Sequence, residues 1–136
     1  MRIVDANVFV RYITGDDAQK QLRSKELIER ISRGREEMVT TDIIIHEVCF
    51  VLTASRHYNL THHEARDRLF PIIQLDGLKV SHKNICLDAL DIFAQREYLD
   101  YSDAISVAMV RNGLSDGIYS FDRPLDNIEG AHRIAP

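Results

Sequence analysis

The sequence predicts an α/β domain, with a mostly parallel sheet of four or five short strands flanked by helices. Two observations lead to this fold class. Short apolar runs of strand length alternate along the chain with longer segments of helical periodicity. No two-residue turn joins one strand-like run to the next, so the strands are expected to pair in parallel through helical crossovers. At 136 residues, the chain is expected to form one domain, residues 1–136, with its own core.

The first half of the chain contains two predicted strands and three predicted helices. The third helix is predicted from IIIHEVCFVLTASRH, which is too long and too continuously apolar for one strand and is therefore expected to be largely buried. In order, the elements are a strand at 2–5, a helix at 7–13 that ends near Gly15, a helix that Asp16 caps and Gly34 ends, a strand at 37–40, and the long helix, capped by Thr41 or Asp42.

The second half repeats this alternation. Thr61 and Glu64 have the spacing of a capping box and open a helix that runs to about Leu75, bent or interrupted by Pro71. The later elements are a strand at 78–80, a helix at 84–96, a helix that Ser102 caps and Gly113 ends, a strand at 117–121 and a possible last strand at 132–135.

Composition limits the classes of function. The formal net charge is −4, which argues against a protein that binds nucleic acid through a broad basic face. A nucleic-acid enzyme is still compatible with this charge, because a bound cation can meet the phosphate. No apolar run reaches the roughly 20 residues of a membrane span, and no signal-peptide pattern opens the chain. With Cys49 and Cys86 in apolar patterns as free thiols, the expected location is the cytoplasm.

Four acidic residues occupy positions from which they can converge. Asp5 and Asp122 each follow a predicted strand, and the C-terminal ends of parallel strands lie along one edge of a sheet. Asp103 is in the first turn of a helix, which faces the same edge. Glu47 lies within the apolar helix, where an ionised carboxylate needs a partner. Such carboxylates predict a site for a hard cation, Mg²⁺ or Mn²⁺, and metal-assisted hydrolysis of a phosphate ester.

Three of the four acids also have a purely structural interpretation, whereas Asp5 at the end of a strand is harder to explain in that way. Asp103 is a favourable residue at a helix start, and Asp122 precedes a proline-containing turn sequence. Glu47 could instead pair with a buried arginine. Asn7, just beyond the first acid, is either a hydrogen-bond donor that orders the site or a helix cap. The prediction of a metal site therefore rests on the four acids as a set.

Competing motifs are incomplete. His46-Glu47 would begin a zinc-protease motif, but Phe50 stands where its second histidine belongs. The Tyr and Phe residues are scattered along the chain without an RNA-reading aromatic cluster, and most are expected in the core. A phosphatase with Asp5 as its nucleophile is a rival interpretation, although such enzymes usually carry a second acid where this chain has Asn7.

Four segments in this order resemble the motifs of PIN-domain nucleases, and most of all the VapC-type toxins of bacterial and archaeal toxin–antitoxin pairs. The segments are IVDANVFVRYITGD, TTDIIIHEV, YSDAISVAMVRNG and IYSFDRPLDNI. The resemblance implies a three-layer α/β/α PIN-like fold over essentially the whole chain. It also implies a Mg²⁺- or Mn²⁺-dependent endoribonuclease that cuts RNA, forms homodimers and is blocked by a cognate antitoxin protein.

Carried over by position, the resemblance assigns metal coordination and catalysis to Asp5, Glu47, Asp103 and Asp122. Asn7 and Ser120 match residues that help to order this site. Asp100 and Asp126 stand beside the third and fourth acids and are alternatives to them. Two other functions stay open: a PIN nuclease that processes RNA without being a toxin, and a non-catalytic PIN-like module that binds RNA or protein.

Overall fold

The structure is a computed structural model that describes residues 1–136, and it confirms the α/β class. The strands are β1 (Arg2–Ile3), β2 (Met38–Val39), β3 (Leu78–Lys79), β4 (Ile118–Tyr119) and β5 (Arg133–Ile134). The helices are α1 (Ala6–Thr14), α2 (Ala18–Ser32), α3 (Asp42–Thr53), α4 (His62–Ile73), α5 (Lys83–Ala94) and α6 (Tyr101–Arg111). A short 3₁₀ helix, Arg123–Asn127, lies between β4 and β5.

All strand pairs are parallel, but the strands form two sheets instead of the single central sheet that was predicted. β1, β2 and β3 form the first sheet in that order, with Arg2 opposite Met38 and Met38 opposite Leu78. β4 and β5 pair only with each other. The division follows from the short strands, which pair over two residues each. Most core residues belong to helices, so helix packing rather than a continuous ladder holds the layers together.

One hydrophobic cluster of 30 buried residues forms the core. Phe9 of α1, Ile45 and Leu52 of α3 and Leu90 of α5 are all completely buried within it. Each side chain of this size contributes about 1.5–3 kcal/mol when it leaves water. The site described below is therefore built on the ends of helices whose inner faces are fixed by packing.

The reversal between α1 and α2 depends on a glycine. Gly15 has a φ of +67°, and its N–H donates to the carbonyl of Arg11, which ends α1 in the left-handed conformation. The predicted end near Gly15 is thus confirmed. Asp17, rather than the predicted Asp16, caps α2 by accepting the N–H of Lys20.

The other predicted helix starts have mixed outcomes. Thr41 caps α3, as one of the two predicted alternatives, and Thr61 and Glu64 form the predicted capping box at α4. Pro71 was predicted to bend or interrupt α4. It does not interrupt the helix, which continues through Pro71 to Ile73. Pro71 is exposed and close to the helix end, so the ring meets solvent and little of the helix lies beyond it.

Replacing Thr61 with alanine is expected to lower the free energy of unfolding by about 1 kcal/mol, because the N–H of Glu64 loses its side-chain acceptor. Urea unfolding measures this loss. Thr61→Ser keeps the hydroxyl and should retain most of the stability. Equal stability of the alanine variant and the parent would contradict the role of the cap.

No helix in the structure combines the length and the apolar character that crossing a membrane requires.

Candidate metal centre

Asp5 lies at the carboxyl edge of the three-stranded sheet, between the end of β1 and the start of α1. The N–H of Val4 donates to the carbonyl of Val39 at 2.9 Å, and the Thr40 hydroxyl donates to the carbonyl of Val4 at 3.4 Å. These bonds hold the end of β1 against β2. Asp5 itself caps α1, with Oδ1 accepting the N–H of the next residue at 2.8 Å. Its side chain is exposed at this edge.

A helix cap brings two further carboxyl groups together. Asp100, rather than the predicted Ser102, caps α6, and its Oδ1 accepts the backbone N–H of Asp103 at 2.8 Å. The Ser102 hydroxyl donates to the same oxygen at 3.0 Å. Because a cap and the third residue of a helix face each other across the first turn, the Asp100 and Asp103 side chains are neighbours by construction.

The pKa values of the two carboxyl groups, Asp100 and Asp103, shift in opposite directions. Partial burial and the negative charges of Asp100 and Asp122 raise the pKa of Asp103 to about 6, above its ordinary value of 3.8. Partial burial also acts on Asp100, but its hydrogen bonds from Asp103 and Ser102 outweigh it and lower the pKa of Asp100. At neutral pH the metal-free protein thus holds several negative charges close together, which favours cation binding.

The segment after β4 supplies Asp122. The Ser120 hydroxyl accepts the backbone N–H of Asp122 at 3.0 Å, which fixes the chain at this point. The carboxylate of Asp122 makes no hydrogen bond or ion pair within the protein, and it is close enough to Asp103 to raise that residue's pKa. Asp122 is therefore available to a cation.

Asp126, the alternative fourth acid, is already neutralised. Arg133 donates from Nε and Nη2 to its two carboxylate oxygens, at 2.8 and 3.1 Å, and this hydrogen bonding lowers the pKa of Asp126. A third bond, from Nη1 of Arg133 to the carbonyl of Ser120 at 2.9 Å, ties the same guanidinium to the end of β4. Asp126 thus serves to position the Asp122 segment.

Glu47 does not have the buried environment that the sequence predicted. Only one face of α3 is covered, with Ile45 and Val48 completely buried. Glu47 lies on the outer face with Ile43 and Phe50 and makes no ion pair, so the alternative pairing with a buried arginine is also wrong. The predicted burial of Glu47 is wrong because part of the apolar run faces solvent, including Ile43 and Phe50.

The structure thus assembles the predicted site in part. It brings Asp100, Asp103 and Asp122 into electrostatic contact and places Asp5 at the carboxyl edge of the first sheet, but no three acidic, histidine or cysteine side chains lie in an arrangement that could hold a metal ion. Asn7 is exposed in the first turn of α1 and is not its cap, because Asp5 occupies that position. The acids themselves offer carboxylate oxygens, which are the donors that a hard divalent cation prefers.

Sequence analysis did not assign a functional role to two residues, Arg133 and His46. Arg133 positions the Asp122 segment through a strand pairing that no local pattern reveals. His46 lies close enough to Asp100 and Asp103 for its positive charge to lower the pKa of both groups, and its Nδ1 is buried without a hydrogen-bond partner. The sequence feature that could have pointed to His46 is its position next to Glu47, a predicted site residue.

Tyr101 anchors the start of α6. It is almost fully buried, and its hydroxyl donates to the carbonyl of Cys86 at 3.0 Å. Tyr101→Phe is expected to lower the free energy of unfolding by about 1–3 kcal/mol, because the buried carbonyl loses its donor. Chemical unfolding with urea checks this, and Tyr98→Phe, at a half-exposed position, is the matched control. A Tyr101→Phe protein as stable as the control would contradict the anchoring role.

Comparisons with known proteins add an independent finding. A family model described as the PIN domain matches residues 2–131. The chain is 26% identical over 137 aligned positions to a protein of Mycobacterium bovis named VapC ribonuclease Mb1869c, covering 99% of this chain and all of the relative. It shows the same identity and coverage with Ribonuclease VapC13 of Mycobacterium tuberculosis. No solved structure matches the chain significantly.

Proposed function

Because the chain belongs to the PIN domain family, we propose that it is a metal-dependent endoribonuclease that hydrolyses RNA phosphodiester bonds. One observation carries this proposal: the carboxyl group of Asp103 stands beside those of Asp100 and Asp122 at neighbouring element ends, with its pKa raised. Close carboxylates of this kind are costly without a cation. The full-length relatives are named ribonucleases, which supports the same reaction here.

The cation that fits these residues is Mg²⁺ or Mn²⁺. Asp103 and Asp122 would hold it, and the likeness to PIN nucleases assigns Asp5 and Glu47 as further oxygen donors, although no three acids are arranged around a metal position in this structure. A bound divalent cation supplies a Lewis acid for the phosphoryl oxygen and lowers the pKa of a water molecule. Asp100 keeps the backbone of Asp103 in place through the helix cap.

Each remaining residue has a positioning role. Ser120 holds the backbone of Asp122, Arg133 holds the carbonyl of Ser120, and Asn7 offers an exposed amide two residues after Asp5. Because Asp103 has a pKa of about 6, cation binding near neutral pH displaces few protons from this group, and binding weakens as the pH falls below 6.

The same family membership supports a biological role as the toxin of a type II toxin–antitoxin pair. The expected partners are an RNA substrate, a cognate antitoxin and a second copy of the chain. An acidic site attracts a partner that presents basic side chains. With an RNA substrate and two free buried cysteines, Cys49 and Cys86, the proposed location is the cytoplasm.

The test is cleavage of labelled transfer RNA and ribosomal RNA by the purified protein. We expect cuts with Mg²⁺ or Mn²⁺, none with a chelator, and none from Asp5→Asn with either metal. Asp116→Asn, at an exposed position without polar contacts, should cut as the parent does. Intact RNA under all conditions, or equal cutting by Asp5→Asn, would contradict the proposal. Growth arrest on expression of the parent, absent for Asp5→Asn, tests the toxin role.

A second candidate is a PIN-like module that binds RNA without cutting it. It is favoured by the observation that no three acids lie in a metal-holding arrangement. RNA binding that is independent of divalent cations, together with intact RNA, would identify this function.

A further inference from the structure

The fold gathers exposed aromatic side chains around the acids, although these residues are scattered in the sequence. Of the five Phe and five Tyr residues, those that are more than half exposed are Phe50, Tyr98, Tyr119 and Phe121. All four lie within three residues of an acid described above: Phe50 of Glu47, Tyr98 of Asp100, and both Tyr119 and Phe121 of Asp122. Exposed aromatic rings therefore flank the acids, although the sequence shows no aromatic cluster.

Phe50 and Tyr98 share a cavity. It has a volume of about 150 Å³ and lies between α3 and the connection from α5 to α6. Asp100 and His46 line the same cavity, so it opens beside the carboxyl pair of α6. Phe50 is 61% exposed and Tyr98 is 57% exposed, which leaves both rings accessible to a ligand.

The inner wall of this cavity is rigid. His62 and Phe93, which also line it, are both buried and stack with their ring centroids 3.8 Å apart. Nδ1 of His62 lies 3.0 Å from the carbonyl of Phe93, which fixes the imidazole. A ligand would therefore meet a preformed surface, and binding would not require the wall to be ordered first.

The size of the cavity matches a single ring. A cavity of roughly 150 Å³ in another protein accepts one benzene molecule, so one six-membered pyrimidine ring fills this space, whereas a two-ring purine would extend out of the open mouth of the cavity.

We propose that this cavity binds one unpaired pyrimidine base of an RNA strand, adjacent to the phosphodiester bond at the acids, with Phe50 and Tyr98 stacking on the base. The inference rests on the proposed nuclease function and adds a specificity to it. Asp100 connects the two regions, because it lines the cavity and its carboxylate accepts the N–H of Asp103. The lining of the cavity is therefore one hydrogen bond away from the backbone of Asp103.

RNA fits this surface better than a protein partner does. The cavity accommodates one flat ring, whereas an apolar helix or strand docks in an extended groove. Single-stranded RNA is commonly held by bases that stack on exposed aromatic rings. The preference for a small base is the distinguishing consequence, since stacking on an open surface would favour the larger purine rings.

The first experiment compares binding of fluorescent oligo(U) and oligo(A) RNA, at low salt without divalent cations, so that cleavage does not enter. We expect the parent to bind oligo(U) more tightly. Phe50→Leu and Tyr98→Leu keep an apolar side chain but lose the aromatic face, and each should weaken oligo(U) binding about 5- to 150-fold and remove the preference. Phe50→Tyr and Tyr98→Phe should retain it. Tyr119→Leu, an exposed aromatic outside the cavity, is the matched control.

The second experiment measures kcat/KM for cleavage of oligonucleotides with a pyrimidine or a purine next to the cut bond. Pyrimidine preference in the parent that disappears in Phe50→Leu supports the inference. Equal binding of both oligomers, or unchanged preference in both leucine variants, would overturn it while leaving the nuclease proposal intact. If Phe50→Leu lost self-association and kept the base preference, the surface would be an interface with a second copy of the chain and not a base site. Binding preference without any cleavage would retain the base cavity and reject the nuclease.

Discussion

The Asp103→Asn protein is expected to lose RNA cleavage almost completely while becoming more stable than the parent in the absence of metal. Mutating a residue that only hydrogen-bonds to a metal ligand typically lowers activity ~10- to 100-fold. The loss here should be larger, because Asp103 is itself a proposed ligand. The Asp100 cap on α6 stays in place, since it uses the backbone N–H of residue 103. Cleavage rates with saturating Mg²⁺ or Mn²⁺ measure the loss.

The gain in stability follows from the raised pKa of Asp103. In the folded protein this pKa is about 6, against 3.8 ordinarily, so ionisation opposes folding once the pH exceeds 3.8, and the penalty is complete above 6. At pH 7.5 asparagine removes this penalty, and we expect a gain on the order of 1 kcal/mol after allowance for solvent screening of a partly exposed group. At pH 4 the gain should be nearly absent.

Urea unfolding at pH 4 and pH 7.5, with chelator present, measures the difference. Asp116→Asn changes the same chemical group at an exposed position without contacts and should show no gain at either pH. An Asp103→Asn protein that is less stable than the parent at pH 7.5 would mean that the carboxyl groups do not repel one another. A gain of the same size at both pH values would also contradict the titration described.

The Phe9→Ala protein is expected to lose about 3–5 kcal/mol of unfolding free energy, a large part of the 5–15 kcal/mol that is usual for a domain. Phe9 has no exposed surface and lies on the inner face of α1, the helix that Asp5 caps. Removing the ring leaves a cavity where α1 meets the core. The helix that carries Asp5 then loses its main anchor.

Urea unfolding at pH 7.5 tests the loss, and Tyr119→Ala is the control, because that ring is 76% exposed and its removal should change stability by less than about 0.5 kcal/mol. Phe9→Leu keeps most of the apolar volume and should fall between the two. A Phe9→Ala protein within 1 kcal/mol of the parent would show that the core near α1 repacks freely.

Local sequence patterns predicted the elements well where the interactions are local. The capping box at Thr61, the glycine that ends α1 and the alternation of strands and helices depend on residues a few positions apart. The cap of α6 was missed by two residues, because Ser102 and Asp100 are equally good caps by type. The burial of Tyr101 decides between them, since a helix that starts at Tyr101 directs this ring into the core.

Long-range pairings set the limit of prediction. Arg133 reaches Asp126 and Ser120 only because β5 pairs with β4. The outer position of Glu47 depends on which face of α3 meets its neighbours, and an almost uniformly apolar run carries no periodic signal for that choice. Phe50 and Tyr98 are 48 positions apart in the sequence and meet only where α3 approaches the segment before α6.

The central claim is that the carboxyl groups of Asp103 and Asp122 bind a divalent cation. Calorimetric titration of the chelator-treated protein with Mn²⁺ at pH 7.5 tests it most directly, with Asp103→Asn, Asp122→Asn and Asp116→Asn alongside. The expected result is saturable binding to the parent and to Asp116→Asn, and binding at least ~10-fold weaker in the other two variants. Equal affinity in all four proteins, or no binding to the parent, would contradict the claim.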